Sequence, residues 1–141
     1  MENSDLLISP KKMRSFMDSH INKMLRDKDF TAAQLPFIMT IGMNEGISMK
    51  DLSTKLGADK GLTTRVIQAL IMNGFVENRS GSSRTYRLYL TSKGSEAFDY
   101  SRATMDRLLG QLLECLSEED KAHFRVISAK LNKRLDELYE Y

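Results

Sequence analysis

The chain has 141 residues, of which 41% are hydrophobic and 28% charged, a composition typical of one globular domain. Its single cysteine, Cys115, excludes an intramolecular disulfide framework, and only two histidines could help it to hold a metal. The sequence contains no common catalytic motif, no phosphate-binding glycine loop, no signal-peptide core and no apolar run long enough to span a bilayer. We therefore expect an intracellular, cytoplasmic protein that is not an enzyme and needs no cofactor or metal.

The charge is unevenly distributed along the chain. Residues 48–94 hold eight basic and three acidic residues, a net charge of +5, whereas the rest holds 13 basic and 16 acidic residues, a net charge of −3. A basic segment of this kind is expected where a protein meets phosphate groups, although an ordinary solvated surface is the alternative.

Two helices are predicted in the first part of the chain. Pro10 begins the first, and the capping-box pair Thr31 and Gln34 precedes the second, in which Pro36 predicts a kink or a delayed regular start. His20 lies on the apolar face of the first helix, where a core or interface role is favoured over a functional one. The methionines of both helices suggest a small-molecule pocket, although core filling is the simpler explanation; the pocket candidates are Met13, Phe16, Met17, Met39 and Met43.

A helix-turn-helix is predicted next. Ser48 caps a third helix, Gly57 ends it, and Asp59 caps a fourth helix after only one intervening residue. The apolar face of the fourth helix is assigned to Leu62, Val66, Ala69 and Leu70. This assignment turns Lys60, Thr64 and Gln68 to the opposite face, with Thr63 and Arg65 beside them.

A β-hairpin follows the fourth helix. Residues 75–79 and 84–90 have strand character and are separated by the Ser-Gly-Ser-Ser loop 80–83. In the second strand Tyr86, Leu88 and Leu90 share one face, and Arg87 lies on the other.

Two long helices are predicted to complete the chain. The first is rich in leucine, and Cys115 follows Leu113 on it, where a buried structural thiol is favoured over a redox sensor. The last helix begins at Ser117 and carries a narrow apolar stripe, typical of a seam that meets another helix: Phe124, Ile127, Leu131, Leu135 and Leu138. The predicted fold class is mainly α with a small β-hairpin wing.

The order of these elements is that of a winged helix-turn-helix protein with helical extensions. The run M-K-D-L-S-T-K-L-G-A-D-K-G-L-T-T-R-V-I-Q-A-L-I-M-N-G-F-V at 49–76, followed by the hairpin and by L-T-S-K-G at 90–94, resembles the multiple antibiotic resistance regulator (MarR) family. The resemblance covers essentially the whole chain, and its specific part is residues 48–94.

This resemblance implies a prokaryotic, nucleoid-associated transcription regulator, most often a repressor, that binds double-stranded DNA as a homodimer. Residues 10–28 and 95–141 would form the helical dimerisation region, and residues 30–94 the DNA-binding lobe, with its recognition helix in a major groove and its wing in a minor groove. Many members are released from DNA by a small lipophilic ligand. The expected DNA-binding residues are Lys60, Thr63, Thr64, Arg65, Gln68, Arg79, Arg84, Arg87 and Lys93.

The sequence departs from the family pattern at several positions. Gly61 stands where a serine is frequent, and Ser82 stands where an aspartate often precedes the wing arginine by two residues, so Arg84 would be less firmly oriented. Ala69, Ile71 and Met72 replace residues that are usually charged, and an apolar edge results at Ile71 and Met72. They leave open an alternative function, a winged-helix module that presents this apolar edge to a protein partner and does not bind specific DNA.

Overall fold

The computed structural model describes residues 2–3 and 7–138. Residues 1 and 4–6 lie outside the described part, as do residues 139–141, the end of the predicted dimerisation region. The elements are α1 Pro10–Met24, α2 Leu35–Met43, α3 Met49–Leu56, α4 Lys60–Met72, β1 Val76–Asn78, β2 Leu88–Leu90, α5 Ser92–Leu113 and α6 Glu118–Leu138. The predicted fold class, mainly α with a small hairpin, is confirmed.

The chain divides into two compact units at residues 104 and 105, within α5. The first unit holds a continuous hydrophobic core to which α2, α3, α4, the hairpin and the beginning of α5 all contribute. Its most deeply buried side chains include Ile38, Ile41, Leu52, Phe75 and Leu88. Burial of these large apolar side chains is the main source of stability for this unit.

The first helix begins as predicted, whereas α2 begins at Leu35, after the turn in which the predicted capping box forms. Ser9 caps α1 by accepting a hydrogen bond from the Lys12 amide, and Pro10 takes the first helical position. Thr31 and Gln34 exchange backbone-to-side-chain hydrogen bonds of 3.0 and 3.2 Å, so the capping box is present. Pro36 lies in the first turn of α2, where its missing N–H costs no helical hydrogen bond.

The hairpin strands are shorter than predicted. Their antiparallel register pairs Val76 with Leu90 and Asn78 with Leu88, so only three residues of each predicted strand form the ladder. Leu88 also bridges to Ile47, which ties the hairpin to the segment between α2 and α3. Leu88 and Leu90 are buried and Tyr86 packs against the core, which confirms the predicted inward face of the second strand.

The second unit contains the end of α5 and all of α6. Ser117 and Asp120 form a reciprocal capping box with hydrogen bonds of 3.1 Å at the start of α6. The predicted apolar stripe of α6 is exposed along its whole length, from Phe124 to Leu138. The prediction that Cys115 is buried on a helix is wrong, because the residue follows the end of α5 in a turn and its thiol is exposed.

Candidate nucleic-acid interface

The helix-turn-helix is built from three local caps. The Ser48 hydroxyl accepts a hydrogen bond from the Asp51 amide at 3.1 Å, which starts α3. Gly57 ends α3 with φ of 61°, a left-handed conformation that glycine adopts without a steric penalty. Asp59 then accepts the Leu62 amide at 2.7 Å and starts α4. Two hydrogen bonds and one left-handed glycine therefore fix the turn between α3 and α4.

The face of α4 that meets the core differs from the predicted one. The buried residues are Thr63, Ile67 and Leu70, whereas Leu62 is 39% exposed and Val66 and Ala69 are only partly buried. The prediction that Thr63 lies beside the DNA-facing side is wrong, since only 1% of its surface is exposed. A threonine can take this core position because its hydroxyl donates to the Asp59 carbonyl at 2.9 Å and accepts from the Ser53 hydroxyl at 2.8 Å.

The side of α4 opposite the core presents hydrogen-bonding groups to solvent. Lys60, Arg65 and Gln68 are exposed, and Lys60 and Arg65 form no ion pair with any residue in the described part of the chain. Thr64 is half-buried, and its hydroxyl donates to the Lys60 carbonyl at 2.8 Å. Two unpaired cations and one amide therefore remain available to an external partner.

Asn78 organises the loop of the wing, a role that the sequence patterns did not indicate. Its side-chain carbonyl accepts hydrogen bonds from the amides of Ser80 and Arg87 at 3.1 and 3.0 Å, and its amide donates to the Ser82 carbonyl at 2.9 Å. The side chain thus ties both sides of the loop together, next to the backbone hydrogen bond that the Arg79 amide donates to the Arg87 carbonyl at 2.9 Å. An asparagine side chain often accepts a hydrogen bond from the backbone amide two residues later, so Asn78 could have been predicted to begin this turn.

The wing arginines differ in how firmly they are held. Arg84 and Arg87 are exposed, and neither guanidinium has an ion-pair partner among the described residues. The Ser82 hydroxyl accepts the backbone amide of Arg84 at 3.1 Å. Arg79 instead pairs with Glu77 at 2.6 Å and lies 4.1 Å from the centre of the Tyr89 ring.

Lys93 is already engaged within the protein. Its ammonium group lies 2.8 Å from Asp29 Oδ2, donates to the Asn73 carbonyl at 2.9 Å and sits 4.3 Å from the centre of the Phe75 ring. The hydrogen bond from Lys93 lowers the pKa of Asp29. The geometry therefore favours a structural role for Lys93 over the predicted contact with a DNA phosphate. In this role Lys93, a residue of α5, holds the C-terminal end of α4 through the Asn73 carbonyl.

The predicted pocket residues differ in their exposure. Met39 packs against the core of the first unit, Met43 is 68% exposed, and Met13, Phe16 and Met17 are partly buried on α1. A separate open cavity of about 890 Å³ lies beside the hairpin, lined by Glu45, Glu77, Arg79, Tyr89, Leu90, Thr91, Ser92 and Ser95. His20, the remaining candidate of α1, is bonded within its own helix, with Nδ1 2.7 Å from the Phe16 carbonyl.

Comparison with known proteins identifies this arrangement. Residues 30–83, which contain the helix-turn-helix and half of the wing, match the model of the MarR family. Over this segment the chain is similar to the MarR family. It is similar to the HTH-type transcriptional regulator BilQ of Clostridium symbiosum, with 29% identity over 111 residues that cover 77% of each chain. It is also similar to the transcriptional repressor MprA of Escherichia coli, with 29% identity over 130 residues, 89% of this chain and 74% of MprA.

The fold of the chain agrees with that of a solved structure. A crystal structure of MarR superposes with a TM-score of 0.78 and 22% identity, over 98% of this chain and 96% of that one. The chain therefore has the winged-helix fold of that structure, as the sequence predicts. Among the described residues, no helix combines the length and apolar character that crossing a membrane requires.

Proposed function

We propose that the protein is a homodimeric repressor that binds a specific double-stranded DNA sequence, with α4 in the major groove and the wing in the neighbouring minor groove. The observation that carries this proposal is the exposed side of α4, where Lys60, Arg65 and Gln68 point away from the core of a winged helix. Lysine and arginine side chains that have no ion-pair partner within the protein can bind the phosphate groups of DNA.

The chemistry of this side suits base recognition. Arg65 can donate two parallel hydrogen bonds to guanine, and Gln68 can pair with adenine through its amide. Lys60 lies at the first position of α4, where the helix dipole also favours a negative partner such as phosphate. Thr64 contributes at the edge of this surface, whereas the burial of Thr63 removes it from the proposed interface.

The wing supplies the second part of the proposed interface. Arg84 and Arg87 can enter or flank a narrow minor groove, where A·T-rich DNA has an enhanced negative potential. Arg79 can contact the DNA backbone only by exchanging or sharing its Glu77 partner, because the two groups are already 2.6 Å apart. We therefore expect Arg84 and Arg87 to contribute more than Arg79.

A second copy of the chain is the proposed partner of the exposed stripe on α6. Leu131, Leu135 and Leu138 each expose half or more of their surface, a cost in water that helix pairing would remove. Residues 10–28 and 95–141 would form the dimerisation region, and residues 30–94 the DNA-binding lobe. Changing Leu131 to Glu should yield a monomer in sedimentation experiments and abolish tight DNA binding; a stable dimer would contradict this assignment.

Release by a small lipophilic effector, with a lining that includes Met13, Phe16, Met17, Met39 and Met43, is a further part of the proposal. A phenolic acid that raises the melting temperature and lowers DNA affinity would support it. A broad panel without any shift would count against it. The proposed location is the prokaryotic cytoplasm, on the nucleoid.

Capture and sequencing of genomic DNA fragments by the purified protein tests the central proposal. The wild-type protein should enrich fragments that share one motif, and Arg65→Ala should lose that enrichment. Lys133→Ala is the matched control, because it also removes one positive charge but lies on α6, away from the apolar stripe. Equal loss in both variants would indicate a general charge effect.

The alternative function is a winged-helix module that binds a protein through Ile71 and Met72. Met72 is 86% exposed, but Ile71 packs against the core and offers only part of its surface. The apolar edge is therefore small, and protein interfaces are depleted of charge at their centres. Absence of any enriched DNA motif would favour this alternative over the repressor.

A further inference from the structure

Leu62 is an exposed apolar side chain in the first turn of α4. Its amide is fixed by Asp59 at 2.7 Å, yet 39% of its surface is open to solvent. A single exposed leucine is ordinary on a protein surface. This one is held at the N-terminal end of the helix that the proposed function places in the major groove.

Leu62 also lies beside the strongest hydrogen-bond donor of this surface. Residues three apart on a helix are neighbours, so Leu62 and Arg65 share one edge of α4. A nitrogen of the Arg65 guanidinium lies 3.7 Å from the position that a Cβ would take on Gly61. The head of Arg65 is therefore drawn towards the same first turn, and recognition helices contact base edges with their N-terminal residues.

The thymine 5-methyl group is the one apolar group in the major groove that an aliphatic side chain can recognise by contact. The edges of guanine, cytosine and adenine present hydrogen-bonding groups, whereas thymine adds a 5-methyl group. A leucine placed against a polar edge would remove water from it without replacing its hydrogen bonds. Contact with the methyl group avoids this cost.

We propose that Leu62 reads the 5-methyl group of a thymine next to the base pair contacted by Arg65. This inference rests on the proposed function, because it assumes that α4 enters the major groove. Loss of one buried methyl group corresponds to about a fourfold change in affinity for each half-site.

The test begins with a duplex selected from random-sequence DNA by the wild-type protein. Each thymine of that duplex is then replaced by deoxyuridine, which lacks the 5-methyl group and keeps every hydrogen-bonding group. The wild-type protein should lose about fourfold in affinity at one thymine of each half-site, and little at the others. Leu62→Ala should bind the thymine and deoxyuridine duplexes equally well.

Met72→Ala is the matched control, since it also truncates an exposed apolar side chain, at the far end of the same helix. It should keep the full difference between thymine and deoxyuridine. Melting curves of both variants should match the wild type, which excludes unfolding as the cause.

Three results would overturn the inference. If no thymine replacement weakens the wild-type protein, or if Leu62→Ala keeps the same sensitivity to the methyl group, Leu62 does not read thymine and the proposed repressor function is untouched. If no duplex is enriched in the selection, the proposed function fails and this inference fails with it.

Discussion

Replacing Thr63 by Val distinguishes a structural role of this residue from the DNA contact that the sequence suggests. The side chain is buried, and its hydroxyl links α3 to α4 through Ser53 and Asp59. Valine has nearly the same shape and keeps the branched Cβ, so the change removes two hydrogen bonds and leaves no large cavity. The Asp59 carbonyl loses one of its hydrogen-bond donors, and the half-buried Ser53 hydroxyl must turn to another partner or to water.

The size of the effect follows from those two hydrogen bonds. Each buried neutral hydrogen bond contributes about 1 kcal/mol net, so Thr63→Val should lower the free energy of unfolding by about 1–2 kcal/mol. For a chain of this length the melting temperature should fall by about 3–8 °C. Affinity of the folded variant for a duplex selected by the wild type should change less than about twofold, because no base contact is lost.

Urea unfolding followed by circular dichroism measures the first quantity, and fluorescence anisotropy titration measures the second. Thr64→Val is the matched control: its hydroxyl bonds within the outer part of α4, and its loss should change stability by less than about 0.5 kcal/mol. The reasoning is refuted if Thr63→Val unfolds like the wild type and loses tenfold or more in DNA affinity, since that pattern belongs to a direct base contact.

Three further outcomes are expected. Arg84→Ala should weaken DNA binding without changing the melting temperature, since its guanidinium has no ion-pair partner in the described chain; an unchanged titration at physiological salt would refute this. If six to ten phosphates are contacted, affinity should fall by roughly 10³ to 10⁵ between about 50 and 200 mM salt, and a flat response would exclude an electrostatic interface. Gly94→Ala should destabilise by about 3 kcal/mol, because a Cβ there would lie 2.0 Å from the Phe75 carbonyl oxygen, whereas Gly110→Ala, with nothing within 4 Å, should stabilise slightly; equal melting temperatures would contradict both.

The helix-turn-helix was predictable because its signals are local. Ser48, Gly57 and Asp59 act within three or four residues of their own positions, so the spacing of these residue types determines where α3 ends and α4 begins. The capping boxes before α2 and α6 are local in the same sense. The inward face of the second strand likewise follows from alternation, which correctly predicts that Leu88 and Leu90 are buried.

The rotation of α4 was not predictable in the same way. From hydrophobicity alone, Leu62 is expected in the core in place of Thr63. Thr63 is tolerated there because its hydroxyl accepts a hydrogen bond from Ser53, ten residues earlier in the chain. The role of Lys93 depends on Asp29, which is 64 positions earlier in the chain. Such contacts form only after the helices have packed. The spacing of residues within one segment therefore cannot predict them.

The same contacts separate the tasks of the helix and the wing. In its first half α4 is tied to α3 by Thr63, and at its end the carbonyls of Asn73 and Gly74 accept hydrogen bonds from Lys93 and Thr91. A helix held at both ends presents Arg65 and Gln68 in fixed positions, which is what discrimination between base pairs requires.

Arg84 of the wing, unlike the residues of α4, is not held in a fixed position by the rest of the protein. The guanidinium of Arg84 has no ion-pair partner among the described residues, so its side chain must be ordered on the DNA, at a cost of up to about 2 kcal/mol of conformational entropy. A side chain that is ordered only by the DNA responds to the width of the minor groove and not to the edges of individual bases. Substitutions at Arg65 should therefore change which base is preferred at one position, whereas substitution of Arg84 should weaken binding by a similar factor at all sites that have the same minor-groove width.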